Sequence, residues 1–229
     1  MSIVSRSQRV LSLVFCLFAA LTVSSVAQAT SSNPTLDKHL SRLDLAINGM
    51  GVFTKDVTGT NYLGTSFTQH TGSTLGALIT VRYTISPYLG FEGNYTYSRY
   101  TQSFRQPGVT TGTGDVYILG GVQNNVSEYS LGYVAHPPHQ ILGASPFLAV
   151  GAGSTAFRPT KGGGQSLNSQ ARATYYYAAG LEKEISPHFG VRAQFRQAFF
   201  KAPDFGQNYL TIQKQTWSIE PGFGFVIHF

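Results

Sequence analysis

The chain has 229 residues, 16 Lys and Arg against 10 Asp and Glu, a formal charge of +6, and 11% charged residues in all. Its basic residues are scattered rather than clustered, which argues against nucleic acid as a partner, and the absence of a linker-like change in composition fits one domain. No run of 18 apolar residues follows Ala29, so helical membrane spans are excluded.

Arg6 and Arg9 precede an apolar run from Val10 to about Val23, which Ala27-Gln28-Ala29 follows. These are the three parts of a secretory signal peptide, and the run is shorter than the ~20 residues a spanning helix needs. Residues 1–29 are therefore read as a cleaved signal peptide, residues 30–40 as a polar leader and residues 41–229 as the folded domain. Cys16 lies inside the apolar run, so the exported chain has no cysteine.

Eight segments of alternating hydrophobicity follow. The first sets Leu43, Leu45, Ile47, Gly49, Gly51 and Phe53 against Arg42, Asp44, Ala46, Asn48 and Met50. In the second, Leu75, Ala77, Ile79, Val81, Tyr83 and Ile85 oppose Gly76, Leu78, Thr80, Arg82 and Thr84. The third, from Phe91 to Tyr100, has Glu92 and Asn94 on its polar face, and the fourth has Tyr129, Leu131 and Tyr133 opposite Glu128 and Ser130. A fifth, Phe147 to Phe157, is too rich in Gly and Ala for its facing to be read. The sixth sets Tyr175, Tyr177 and Ala179 against Tyr176, Ala178, Gly180 and Glu182, and the seventh sets Val191, Ala193 and Phe195 against Arg192, Gln194 and Arg196. The last runs from Trp217 to Phe229, with Ile219, Pro221, Phe223, Phe225, Ile227 and Phe229 on one face and Glu220, Gly222, Gly224 and His228 on the other. Each segment spans about the 9 to 11 residues with which a tilted strand crosses a bilayer. Pro221 donates no ladder hydrogen bond, so a bulge is expected there.

Connections alternate in length. Ser86 to Gly90, His136 to Ser145 and Ser186 to Gly190 are short and contain proline, as turns favour. The stretches from Thr54 to Gly72, Gln102 to Asn124, Arg158 to Gln170 and Lys201 to Thr216 read as long loops. Alternation alone fits a secreted β-sandwich as well as a barrel, since both have one apolar face. The turn asymmetry, the terminal Phe and the abundant Tyr and Phe favour an all-β, eight-stranded antiparallel up-and-down transmembrane β-barrel.

An internal repeat refines this expectation. Ile85-Ser86-Pro87-Tyr88-Leu89-Gly90 recurs one hundred positions later as Ile185-Ser186-Pro187-His188-Phe189-Gly190. Around the first turn the inward positions carry Arg82 and Glu92; around the second they carry Glu182 and Arg192, with the signs exchanged, so each hairpin can close its own ion pair. An eight-stranded barrel is just wide enough for side chains to fill. Arg42, Asp44, Glu128, Arg196 and Glu220 are expected to join those four in a buried charge network. For any of these that lie near a barrel end, the alternative is a solvated charge worth little.

Taken together, the eight strands, the Ile-Ser-Pro-x-x-Gly turns, the inward Glu and Arg, the Pro221-Gly222-Phe223-Gly224 segment and the final Phe229 resemble the small bacterial outer-membrane barrels related to the membrane domain of outer membrane protein A. The resemblance implies location in the outer membrane and insertion by the barrel-assembly machinery, which would read the aromatic last strand through Phe223, Phe225, Ile227 and Phe229. It implies no cofactor, and a monomer is expected.

A catalytic centre is not expected. Of the six histidines, His136, His139 and His188 fall in short turns, His39 in the leader and His228 at the inner end of the last strand, which leaves His70 alone on the outer side. The lipid-modifying members among eight-stranded barrels carry a His-x-Ser arrangement on an exposed strand; the one His-x-Ser of this chain, His39-Leu40-Ser41, precedes the first strand. His136-Pro137-Pro138-His139 offers two metal ligands without a carboxylate or thiol beside them, a weak site, so no metal is assigned. The long loops and adjoining strand ends carry Lys55, Arg99, Arg105, Arg158, Lys161, Arg172, Lys201 and Lys214 against Asp56, Asp115 and Asp204. Arg158, Lys161 and Arg172 are candidate contacts to lipopolysaccharide phosphates or another polyanion, and read equally well as solvated loop charges. The leading functional expectation is a structural, surface-interacting barrel with a filled interior. The second is a narrow porin or gated channel, and a remote third is a lipid-modifying enzyme relying on His70.

Overall fold

Period-two alternation with one wholly apolar face can bury its backbone polar groups in a membrane only by closing into a barrel, and the chain does so. The computed structural model describes residues 34–110 and 115–229. The expected signal peptide, residues 1–29, lies outside the described residues. Within the leader a short helix, α1 (Pro34–Leu40), stands as a unit of its own.

The second unit, Ser41–Phe229, is all-β. Its strands are β1 (Leu43–Thr54), β2 (Val57–Thr60), β3 (Ser66–Thr71), β4 (Thr74–Ser86), β5 (Leu89–Thr110), β6 (Asp115–Ala135), β7 (Ser145–Pro159), β8 (Gln170–Ser186), β9 (Phe189–Lys201) and β10 (Gln215–His228). With β2 and β3 set aside, eight strands pair antiparallel with their chain neighbours, and β10 pairs with β1 to close the cylinder. The expected eight-stranded up-and-down barrel is the observed fold.

The two copies of the Ile-Ser-Pro repeat build the same turn. In each, the ladder shifts register just before the serine, between Thr84 and Ser86 in one and Glu184 and Ser186 in the other, and the serine then pairs with the residue three positions on, Leu89 or Phe189. Arg82 faces Glu92 and Glu182 faces Arg192 across the two ladders. At Pro221 the expected bulge is absent. The register with β9 runs through it unbroken, and the ladder to β1 skips Gly51 and Val52 and resumes in the same register. The missing N–H is accommodated by a local gap in pairing with β1, not by an inserted residue.

The facing of β7, illegible in the sequence, is set by its neighbours: Phe147, Ala149, Thr155 and Phe157 are buried inside, while Leu148 and Val150 are exposed on the wall. Phe147 and Phe157 thus fill the interior at opposite ends of one strand.

Two of the expected long loops are largely strand. The stretch from Gln102 to Asn124 continues β5 and β6, which reach 22 and 21 residues, about twice what crosses a bilayer. The stretch from Thr54 to Gly72 contains the β2–β3 hairpin, and β3 pairs with β5 at Gln102 to Arg105. A small sheet therefore stands on the long-loop end of the barrel. Beneath it an apolar cluster closes the cylinder, joining the wall residues Met50, Val52, Leu78, Phe157 and Phe200 to Phe67 of the hairpin and to Phe205, Leu210 and Ile212 of the β9–β10 loop.

Candidate functional site

The inward positions of β4, β5, β8 and β9 bring four charges together below this apolar cap. Arg82 Nη1 lies 2.8 Å from Glu182 Oε1 and Arg82 Nη2 lies 3.4 Å from Glu92 Oε2, while Arg192 lies 3.5 Å from Glu182 and 3.9 Å from Glu92. Each arginine thus meets both carboxylates, so the hairpin pairs are joined across the barrel. Both guanidinium groups lie over the Phe147 ring, their central carbons 4.8 Å and 4.1 Å from its centre. Cation–π attraction and the opposite charges together hold two like charges in one enclosed layer.

Nearer the cap, Arg196 donates to both Glu128 and Glu220. Ser218 Oγ donates to Glu220 (2.6 Å) and Thr155 Oγ1 to Glu128 (3.3 Å). Tyr176 links the two layers. Its ring lies 4.4 Å from the Arg196 guanidinium carbon, and its hydroxyl donates to Glu92 Oε1 (3.0 Å) and accepts from Asn94 Nδ2 (2.8 Å). Gly132 and Gly151 make room for that ring, since a Cβ on either would stand within 2.5 Å of Tyr176 and within 2.5 Å of a backbone carbonyl oxygen of the neighbouring strand.

Seven of the nine charges expected in the network, Arg82, Glu92, Glu128, Glu182, Arg192, Arg196 and Glu220, therefore form two linked layers. The other two do not join them. Asp44 lies at the short-turn end, where its Oδ1 is 2.7 Å from His228 Nδ1. Arg42 precedes β1, is only half-buried, and makes no ion pair among the described residues; its carbonyl accepts from Thr84 N–H. Both positions are too close to the end of the first strand to reach the middle of the barrel.

His136, assigned to a short turn, does more than turn the chain. Its Nε2 lies 3.1 Å from Arg82 Nη1, and its N–H donates to the Tyr88 carbonyl, which ties two turns together. Burial first, then the adjacent Arg82 charge, lower its pKa below the usual histidine value, which keeps the ring neutral and able to accept from the guanidinium. The sequence signal for this role is faint: His136 follows the inward Val134 by two positions.

Asn48 leaves both amide atoms, and Gln194 its carbonyl oxygen, without a hydrogen-bond partner among the described residues, although both side chains are buried. Gly224 pairs with Asn48 and Gly222 with Gln194 on β10, and the backbones pack closely there, since a Cβ at Gly224 would stand 2.0 Å from the Ile47 carbonyl oxygen.

A filled cylinder with a lipid-like exterior and charged inward layers has few homes, and comparison with known proteins agrees on one. The model of the outer membrane protein beta-barrel domain matches residues 14–225. The chain belongs to that family. It is therefore a protein of the bacterial outer membrane. Its fold is similar to that of the outer membrane protein OprG from Pseudomonas aeruginosa, at 13% identity and a TM-score of 0.56, covering 82% of this chain and 95% of that one. Neisserial surface protein A aligns at 16% identity and a TM-score of 0.48, covering 82% of this chain and 97% of that one. No curated protein matches it in sequence.

In this family the short turns face the periplasm and the long connections the exterior. The exterior of this outer-membrane barrel is ordered by polar contacts. Asn61 accepts from Leu63 N–H and Thr65 N–H at the tip of the β2–β3 hairpin and donates to the Tyr209 carbonyl of the β9–β10 loop. Asp204 accepts from Gln170 (2.6 Å) and Thr211 (2.8 Å) and pairs with Arg172 at 3.1 Å. Burial opposes its ionisation, but the hydrogen bonds from Gln170, Thr211 and the Gly206 N–H, with the Arg172 charge, outweigh it and hold the carboxyl below the ordinary range. Of the three basic residues considered for polyanions, Arg172 is thus an internal partner of Asp204, while Arg158 and Lys161 are exposed. His70, the one histidine expected on the outer side, has its Nδ1 2.8 Å from Asp56 on the exterior sheet.

The last strand presents Phe223, Phe225 and Phe229 on the lipid face, each about half exposed, with Ile227 between them; Phe225 stacks on Phe189 at 5.3 Å. Phe229 N–H donates to the Leu43 carbonyl, so the end of the chain is sewn to β1.

Proposed function

We propose that this protein is a non-enzymatic structural barrel that presents an ordered exterior for surface interactions. The observation that carries the reading is the interior itself: two buried charge layers joined by Tyr176, closed at the outer end by an apolar cluster to which the loops contribute Phe67, Phe205, Leu210 and Ile212. Opening a path would expose that cluster and separate paired charges in a low-dielectric enclosure, where losing one partner costs about 3 to 5 kcal/mol. The exposed Arg158 and Lys161 would draw the exterior toward lipopolysaccharide phosphates, an attraction that salt weakens. The aromatic lipid face of β10 would serve the assembly machinery as its recognition strand, and the protein would act as a monomer.

The test is conductance of the refolded protein in a planar bilayer, with heat-modifiable gel mobility showing that the barrel has formed. Silence from folded protein supports the scaffold. Stable current steps that change in Arg82→Ala would establish the second reading, a narrow channel, which the unpartnered amide atoms of Asn48 and Gln194 favour because buried polar groups of this kind are the ones water satisfies.

A further inference from the structure

On the exterior, the tip of the β2–β3 hairpin and the β9–β10 loop face each other across an open cleft of about 530 Å3 lined by Thr60, Asn61, Tyr62, Asn208, Thr211 and Gln213, with Ile212 at its base. That volume falls within the range of small-molecule sites. The lining is polar yet contains no charged side chain. The nearest basic residue in sequence, Lys214, turns away to donate its Nζ to the Thr58 carbonyl at 2.8 Å.

The walls are held before any ligand arrives. Asn61 Nδ2 bridges them at 2.7 Å to the Tyr209 carbonyl, and Leu210 and Ile212 anchor the far wall in the apolar cap. Thr211 Oγ1 is fixed on Asp204. Gln213 adopts φ 51°, a left-handed conformation that a non-glycine residue holds at a cost, and that backbone turn sets its exposed side chain on the rim. The side chains of Thr60, Tyr62, Asn208 and Gln213 make no hydrogen bond to the protein among the described residues. Tyr62 is 71% exposed.

We propose that this cleft binds an uncharged saccharide. Amides and hydroxyls both donate and accept hydrogen bonds, which is also the chemistry of sugar hydroxyls, and the open Tyr62 ring offers a flat amphipathic surface for the C–H face of a pyranose. A polyanion would need cations in the cleft, and a metal would need carboxylates; the lining has neither. Preformed walls keep the ordering cost of binding small. The site is distinct from Arg158 and Lys161, so it stands or falls apart from any attraction to lipopolysaccharide phosphates.

The experiment is isothermal titration of the full chain, refolded into phospholipid nanodiscs without glycoside detergent, with maltopentaose, chitotetraose and lacto-N-tetraose. At least one probe should bind equally well at low and high salt, lose about tenfold or more in affinity in Tyr62→Ala and in Gln213→Ala, and bind unchanged in Arg158→Ser/Lys161→Ser. Both single variants lie on the exposed rim, so heat-modifiable mobility should remain that of the parent. No binding by any of the three probes to folded protein, binding that survives Tyr62→Ala, or binding that salt abolishes would each overturn the proposal. Loss of lipopolysaccharide binding in Arg158→Ser/Lys161→Ser bears on the scaffold's surface charge alone.

Discussion

Arg82 and Glu182 are one hundred positions apart in the chain, yet their side chains approach to 2.8 Å, closer than the 3.4 Å between Arg82 and Glu92, its own ladder partner. The cross-barrel pair should therefore dominate. Glu182→Ala leaves Arg82 and Arg192 in one layer with a single carboxylate, a loss expected at about 3 to 5 kcal/mol. A double-mutant cycle in urea, followed by the fluorescence of the single Trp217, should show Arg82→Met/Glu182→Leu less destabilised than the sum of its single variants. Additive losses would mean that the two residues do not interact energetically.

Among the described residues Arg196 alone forms ion pairs with Glu128 and Glu220, and a planar fork can serve two carboxylates where a lysine ammonium is a point charge. Arg196→Lys is expected to weaken the barrel, and Arg196→Met more so. Adding Glu128→Gln and Glu220→Gln to Arg196→Met should restore part of the loss, because the remaining cost is repulsion between enclosed like charges. Urea midpoints of the series check this order.

Gly132 is a packing requirement. A Cβ there would stand 2.3 Å from the Tyr176 hydroxyl and 2.5 Å from the Val150 carbonyl oxygen. Gly132→Ala should cost about 1 to 3 kcal/mol through overpacking. Combining it with Tyr176→Phe should recover little, because the strand backbone remains in the way. Full recovery in the double variant would show that the hydroxyl alone sets the limit.

Asp204 couples the exterior loops to pH. Its pKa is lowered on folding, so its contribution is complete above the ordinary value of 3.8 and is lost as pH falls through the still lower value of the folded protein. Hydrogen exchange in the β9–β10 loop should accelerate in that acid range, after correction for intrinsic rates. Asp204→Asn should already be less protected at neutral pH and should lack that acid step.

The strands were legible because lipid imposes period two over whole segments: Leu75 to Ile85 and Phe223 to Phe229 could not be placed otherwise. The Ile-Ser-Pro repeat likewise announced two matching turns. The exterior sheet was not legible, because outside the membrane water accepts either strand face, and Gln102 to Asn124 needs no apolar alternation to pair. The β7 strand was unreadable for a different reason, since small residues on both faces carry no contrast.

The sequence by itself determined the eight spanning strands and the inward side of seven charges, because alternation in lipid allows a single choice of face, and its turn asymmetry and aromatic last strand pointed to the closed barrel. Tertiary structure alone decided that the hairpin pairs merge across the interior, that His136 turns to Arg82, that Asp44 meets His228 and that the two loop walls enclose an uncharged cleft. These contacts depend on the curvature and stagger that bring nonadjacent strands together, and no local pattern encodes a distance across the barrel.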